Sequence, residues 1–256
     1  MAYDGTLSSG ISHSSALHAG QPNCQHCPSF SLCLIQGLAP NDVNQWNSVV
    51  QSQLSLALPG QVLFEAGEAM AALYVVRAGC VKSVTIDEEG IERVRGFHLR
   101  GDLIGLDALD ASHYPSTAVV VQGAQLCRIP RALVMQKLLH SPALMQRLLS
   151  RISANLGAAL SQAGDYTAEQ RMAAFMLDMQ RRLQPLPGAP LKLPMNRRDI
   201  ANYLRLATET VCRVLTRFAA RGLIAADDRK LRLLNTAALA ALAEPAGMYR
   251  PMAKAA

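Results

Sequence analysis

The chain has 256 residues, half of them hydrophobic, and a formal net charge of +6. That length allows one large domain or two small ones, each with a real aliphatic core, and the basic balance favours an anionic partner, either nucleic acid or membrane. No apolar run reaches the roughly 18 residues of a membrane span, and the N-terminus lacks the basic and apolar regions of a secretory signal. The expectation is a cytoplasmic protein with no membrane partner, in which six cysteines point to metal, catalysis or burial rather than disulfides.

Residues 1–21 are rich in Ser, Ala and Gly and read as a disordered tail. The stretch CQHCPSFSLC follows, with Cys24, Cys27 and Cys33. A C-x2-C pair lets two thiolates reach one metal from a tight loop, and the third arrives after a further turn. Three soft ligands are one short of the usual complement for zinc or an iron–sulfur cluster. His26 is a conceivable ligand but faces away from a centre held by its neighbours. Cys80 and Cys127 are the other upstream candidates, and Cys80 fits a small buried hydrophobe. Reduced loop cysteines, or thiol redox sensing through disulfides, stand as alternatives. Leu32, beside Cys33, is an apolar candidate for limiting access to such a centre, and Pro28 removes a backbone N–H from its surroundings.

Between Ser52 and Pro130 the sequence turns to short β-rich runs, among them GQVLF, ALYVVRAG, CVKSVTI, ERVRGFHL, TAVVV and AQLCRIP. Glycines at 60, 67, 79, 90, 101 and 123 punctuate them. This texture predicts a β-roll or jelly roll, and residues 22–140 read as one sensor domain. From Pro142 the period becomes helical: Met145, Leu149, Ile152, Leu156, Ala159 and Ala163 alternate steps of four and three, a heptad seam. Residues 141–165 therefore read as a dimerisation helix. A further amphipathic helix, Ala168–Leu183, turns Met172, Phe175, Met176 and Met179 inward.

The stretch NRRDIANYLRLATETVCRVLTRFAARG (196–222) holds two short helical patterns around a tight turn. Asn196 and Thr208 are candidate caps; Ile200 and Leu204, then Val211, Leu215 and Phe218, form the inner stripe. Glu209, Cys212 and Arg213 are left exposed at the start of the second helix, with Arg217 and Arg221 on its flank. This is a helix-turn-helix pattern, in which such residues meet base edges in the major groove. Arg213 suits guanine and Glu209 a cytosine amino group; Arg197 and Arg198 suit phosphates. GLIAADDRKLRLLN adds two short strands around an Asp227–Asp228 turn, a hairpin wing. Residues 166–244 read as a winged helix-turn-helix domain and 245–256 as a tail. The overall expectation is an α+β chain: N-terminal β-roll like a cyclic-nucleotide-binding jelly roll, long dimerisation helix, C-terminal winged helix-turn-helix.

This order of parts resembles the Crp–Fnr superfamily of bacterial transcription regulators from Cys24 to about Leu242. It is most similar to the FNR type, the oxygen-responsive fumarate and nitrate reduction regulators. The resemblance rests on CQHCPSFSLC, GFHLRGDLIGLDAL, LCRIP, AEQRMAAF and DIANYLRLATETVCRVLTRF. It implies an oxygen-labile [4Fe-4S] cluster held by Cys24, Cys27, Cys33 and Cys127. It also implies a homodimer that binds double-stranded DNA at a TTGAT-like palindrome and works with RNA polymerase, not an enzyme. A zinc-bound or thiol-redox regulator of the same fold is the alternative. HYPSTAVVV lacks the arginine with which cyclic-nucleotide relatives hold phosphate, so no cyclic nucleotide is expected. Cys212 stands where the FNR type usually has Ser, which puts the outer base preference in question. In the resembled family an acidic residue in the dimer helix helps keep the cluster-free protein monomeric. Leu144–Gly164 here holds no Asp or Glu but carries Arg147 and Arg151. Either these face the seam and the cluster-free form pairs more readily, or they lie on the barrel side and pair with Asp102 or Asp107.

Overall fold

A computed structural model describes residues 24–162, 164–186, 189–227 and 230–243. Both expected tails, Ala163 of the seam and the tip of the wing at 228–229 lie outside these described residues.

The Cys-rich stretch folds into two 3-10 turns, Cys24–His26 and Phe30–Leu32, and runs into helix α1, Pro40–Val49, with Pro at its first turn. The sequence reading expects no helix there. The helix is fixed by packing, since Trp46 and Val43 are buried in the sensor core.

The strands are β1 (Gln51–Ala57), β2 (Val62–Phe64), β3 (Ala72–Ile86), β4 (Glu92–His98), β5 (Leu103–Ile104) and β6 (Thr117–Pro130). They pair antiparallel in the order β1-β6-β3-β4, with β2 also on β6 and β5 also on β3. Two expected pairs of short runs are thus single long strands. ALYVVRAG and CVKSVTI fuse in β3, and TAVVV and AQLCRIP fuse in β6. Gly79 and Gly123 mark a close approach and not turns: a Cβ on Gly79 would stand 2.2 Å from the Gly123 carbonyl oxygen. The register shifts beside them let both strands bend into a roll without breaking. Inside the roll Tyr114 stacks on Phe64 at 3.7 Å. Its hydroxyl donates to the Ala72 carbonyl (2.6 Å) and accepts from the Ala72 amide (3.1 Å).

Helix α2, Arg131–His140, leads to the long helix α3, Pro142–Gln162. Leu144 and Leu148 of α3 are buried against the roll. Met145, Leu149, Ile152 and Leu156 are exposed, Leu149 and Leu156 by more than half, at 55% and 58%. Helix α4, Ala168–Leu183, opens on a capping box between Thr167 and Gln170. Then come β7 (Leu191–Lys192), α5 (Arg197–Leu204), α6 (Thr208–Ala220), β8 (Ile224–Asp227), β9 (Lys230–Leu233) and α7 (Thr236–Ala243). The strands form a three-stranded wing, β7-β9-β8. Its core merges with the end of the roll, because Cys80, Val84, Val94, Phe97 and Leu99 pack in one cluster with residues of α4, α5 and α6.

Asn196 caps α5 as expected, accepting from the Asp199 amide at 2.7 Å. Thr208 does not cap α6. It is the helix's first residue, Ala207 holds the cap position, and no side chain bonds there. Between the helices Arg205 sits in the left-handed region (φ 56°), its neighbour Leu206 donating to the Ala201 carbonyl at 2.9 Å. A side chain there costs about 1–2 kcal/mol, while glycine returns part of that as chain entropy in the unfolded state. Arg205→Gly is therefore expected to stabilise the protein by about 0.5–1 kcal/mol, read as a higher urea midpoint at unchanged slope.

Candidate cluster centre and DNA-reading helix

Three thiols come from the loop and one from the roll. The loop is held from several sides. Asn47 of α1 accepts from the Cys24 amide at 2.8 Å. Ser29 is buried and donates to the Arg77 carbonyl (2.8 Å). Arg100 donates to the Ser29 hydroxyl (3.1 Å) and to the Pro28 carbonyl. Leu32 packs on Gly101, where a Cβ would stand 2.5 Å from the Leu32 Cβ. Cys127 lies mid-strand in β6 between Ser52 of β1 and Val75 of β3. Cys24, Cys33 and Cys127 all pack, half-buried, against the sensor core; Cys27 is half-buried as well.

Electrostatics tie these four side chains together. Burial pushes the Cys24 thiol up to about 11, and the neighbouring Cys33 and Cys27 add to it. Burial pushes Cys127 up to about 12, with Cys33, Cys24 and Cys27 acting in the same sense. Burial also raises Cys33. The Arg77 guanidinium opposes the shift at Cys24 and Cys127, and Arg151 opposes it at Cys33. The raised Cys24, Cys33 and Cys127 thiols are protonated near neutrality, so taking up a metal centre there releases protons. Cys80 belongs elsewhere: it is fully buried in the core shared by the roll and the helix-turn-helix, with burial raising its thiol to about 12. His26 is exposed. Among the described residues no three His, Cys, Asp or Glu side chains are gathered tightly enough to hold one metal ion. The donor set nevertheless fits a soft-metal centre in kind: four neighbouring thiols, with two guanidinium groups to offset thiolate charge.

On α6, Thr208, Glu209 and Arg213 are exposed together, and Val211, Val214, Leu215 and Phe218 are buried. Cys212, half-buried between Glu209 and Arg213, receives the Arg197 guanidinium at 3.6 Å from its sulfur. Arg198 is exposed. Arg217 is not an unengaged flank cation. It pairs with Glu169 of α4, which also takes Arg221 at 3.1 Å. That partner lies 48 residues away from Arg217, and no local pattern signals it.

Two family models match. The cyclic nucleotide-binding domain covers residues 57–141 and the Crp-like helix-turn-helix domain covers 170–242. The fumarate and nitrate reduction regulatory protein of Salmonella typhi is 34% identical over 226 residues, covering 86% of this chain and 90% of the relative. The Escherichia coli K12 protein of the same name matches to the same extent. The chain belongs to the fumarate and nitrate reduction regulator family. Among solved structures, FixK2 from Bradyrhizobium japonicum superimposes with a TM-score of 0.69 at 25% identity, covering 76% of this chain and 97% of that one. A Crp-family transcriptional regulator from Thermus thermophilus shares the fold with a TM-score of 0.61 at 22% identity, covering 73% and 95%. As a member of this family the chain is a transcription regulator with a DNA-binding helix-turn-helix, and its relatives are regulators and not enzymes. No described helix is long and apolar enough to cross a membrane.

The Glu169 pairing has a measurable consequence. Glu169→Gln removes one negative charge and releases Arg217 and Arg221, so binding to random duplex DNA should strengthen. The slope of log affinity against log salt should steepen by up to about two contacts' worth in a fluorescence titration.

Proposed function

We propose that this regulator carries an oxygen-labile [4Fe-4S] cluster on Cys24, Cys27, Cys33 and Cys127 and binds a TTGAT-like palindrome as a dimer. The proximity of three loop thiols to one thiol from β6, near enough for Cys24, Cys27 and Cys33 all to act on the Cys127 thiol, carries this reading. When bound, the cluster supplies oxygen sensitivity and a link between the loop and the roll. Cys127 gives the loop a fixed point on the central strand pair, and the Arg77 and Arg151 guanidinium groups offset thiolate charge. Met145, Leu149, Ile152, Leu156 and Ala159 form the seam between two copies of α3, whose symmetry matches a two-fold palindrome. Glu209 and Arg213 read base edges beside Cys212. Thr208, Arg197 and Arg198 lie toward the sugar–phosphate backbone, with Arg217 joining them once it leaves Glu169. Contact with RNA polymerase follows from the regulator role. The stacked Tyr114 and Phe64 rings fill part of the roll's interior, which supports a roll that works without a cyclic nucleotide.

Protein purified without oxygen should be brown and hold about four irons per chain. Serine at Cys24, Cys27, Cys33 or Cys127 should abolish iron retention, whereas Cys80→Ser should keep it. Full iron in Cys127→Ser would remove the fourth ligand, and a colourless zinc protein would favour the thiol or zinc regulator instead.

For recognition, Arg213→Ala should cost about 1–3 kcal/mol on the specific site and relax discrimination there. Equal losses on specific and random DNA would count against base reading by Arg213.

A further inference from the structure

Helix α3 grips the Cys loop with the face that adjoins its exposed seam. Leu144, Arg147, Leu148 and Arg151 follow the i, i+3, i+4, i+7 spacing of one helical face. Leu144 and Leu148 are buried in the sensor core. The Arg151 guanidinium donates to the Leu32 carbonyl at 2.6 Å. The Arg147 guanidinium covers Gly37, where a Cβ would stand 2.7 Å from its Nη2. Leu32 directly precedes Cys33, whose amide and carbonyl are both used within the loop, by Phe30 (3.0 Å) and Gln36 (3.2 Å). The Leu32 carbonyl is therefore placed by wherever Cys33 is held.

We propose that Arg151 is the positioning residue that couples the state of the Cys33 loop to the placement of the dimer helix. The proposal rests on the cluster reading above. Seating Cys33 on a metal centre fixes the Leu32 carbonyl. The bond to Arg151 converts that position into a preferred placement of α3 against the roll. Ile152, the next residue, lies on the exposed seam, so the shift reaches the dimer contact within a single turn. A charged donor on a single carbonyl suits this task, because such a bond is stronger than a neutral one and directional.

The test measures iron per chain and the dimer dissociation constant by sedimentation, with and without the cluster, in the unsubstituted protein, Arg151→Gln and Arg151→Lys. In the unsubstituted protein the two dissociation constants should differ by about 5–150-fold, the usual size of such a coupling. Arg151→Gln should keep its iron while that ratio falls toward one, and Arg151→Lys, which keeps the cation, should restore part of it. In the cluster-free protein Arg151→Gln should also speed hydrogen exchange of the loop amides around Cys33. Loss of iron in Arg151→Gln alone, with retention in Arg151→Lys, would equally support the anchor. Retained iron with an undiminished ratio in Arg151→Gln overturns the proposal and leaves the cluster reading standing. Loss of iron in both variants overturns it as well, because packing of the side-chain stem then explains the effect. An unsubstituted protein that takes up no iron overturns the cluster reading, and the coupling with it.

Discussion

The antiparallel pairing of β3 with β6 is the constraint on which the other parts depend. It brings Val75 beside Cys127 and Tyr74 beside Arg128, and it ends with Ala72 beside Pro130 at the root of α2. Arg77, on the same stretch of β3, offers its carbonyl to Ser29 and its charge to two of the thiols. The strand pair thus places one cysteine, one counter-charge and one loop anchor within a few residues of each other. The crossing is possible only because glycine stands at 79: an alanine Cβ there overlaps the backbone of Gly123 and Ala124, which has no room to shift. The side of the roll that receives the loop therefore depends on a residue that carries no chemistry of its own.

A second set of contacts joins the roll to the helix-turn-helix, and it is polar where it sets direction. The Asn202 side chain accepts from the Val94 amide (2.8 Å) and donates to the Glu92 carbonyl (2.6 Å), acting as a one-residue neighbour for the edge strand β4. Lys82 bridges Glu92 and Asp199 at 2.6 and 3.0 Å. Arg182 reaches Asp102, Asp178 and the Phe97 carbonyl. Phe97, Phe175 and Tyr203 fill the space between, with ring centroids 5.2–6.5 Å apart. Apolar packing alone tolerates sliding; charge pairs and a two-point amide clamp do not, because any slip leaves a half-buried charge or strand amide without its partner. The first helix of the DNA-reading pair is thus held in register with the sensor.

Much of the architecture was legible in the sequence because it is periodic. Helix α4 begins and ends at Ala168 and Leu183 as its pattern predicts, and the inner stripe of α6 is buried as expected. The glycines at 79 and 123 misled for a physical reason: the same residue serves turns and close strand crossings, and only the partner strand distinguishes them. Helix α1 was hidden because its period is weak and, among its described residues, only Val43 and Trp46 anchor it. Thr208 was a reasonable cap by type, but a polar residue one position too late becomes the first turn of the helix. Of the candidate site, the residue types and their face were readable. Glu169, which holds Arg217 and Arg221, and Asn47, which holds Cys24, were not, since both act across long stretches of chain.

The arginines of α3 show how a composition-level expectation gives way to geometry. The helix has no acid between Leu144 and Gly164, and two cations in a coiled-coil segment suggest repulsion across the seam. Helical spacing sends both the other way. Arg151 finds a backbone carbonyl of the loop instead of Asp102, which Arg182 occupies. The seam from Met145 to Leu156 is left with apolar anchors and small or polar neighbours, and no like charges oppose pairing there. In a helix of this kind an acid on the seam has no counterpart through which to hold two copies apart. On the proposed pairing of α3, control falls to the adjoining buried face, where the same helix meets the roll and the loop. On that proposal the absence of the acid and the presence of the arginine are one feature: a seam with nothing to repel takes its restraint from the adjoining face.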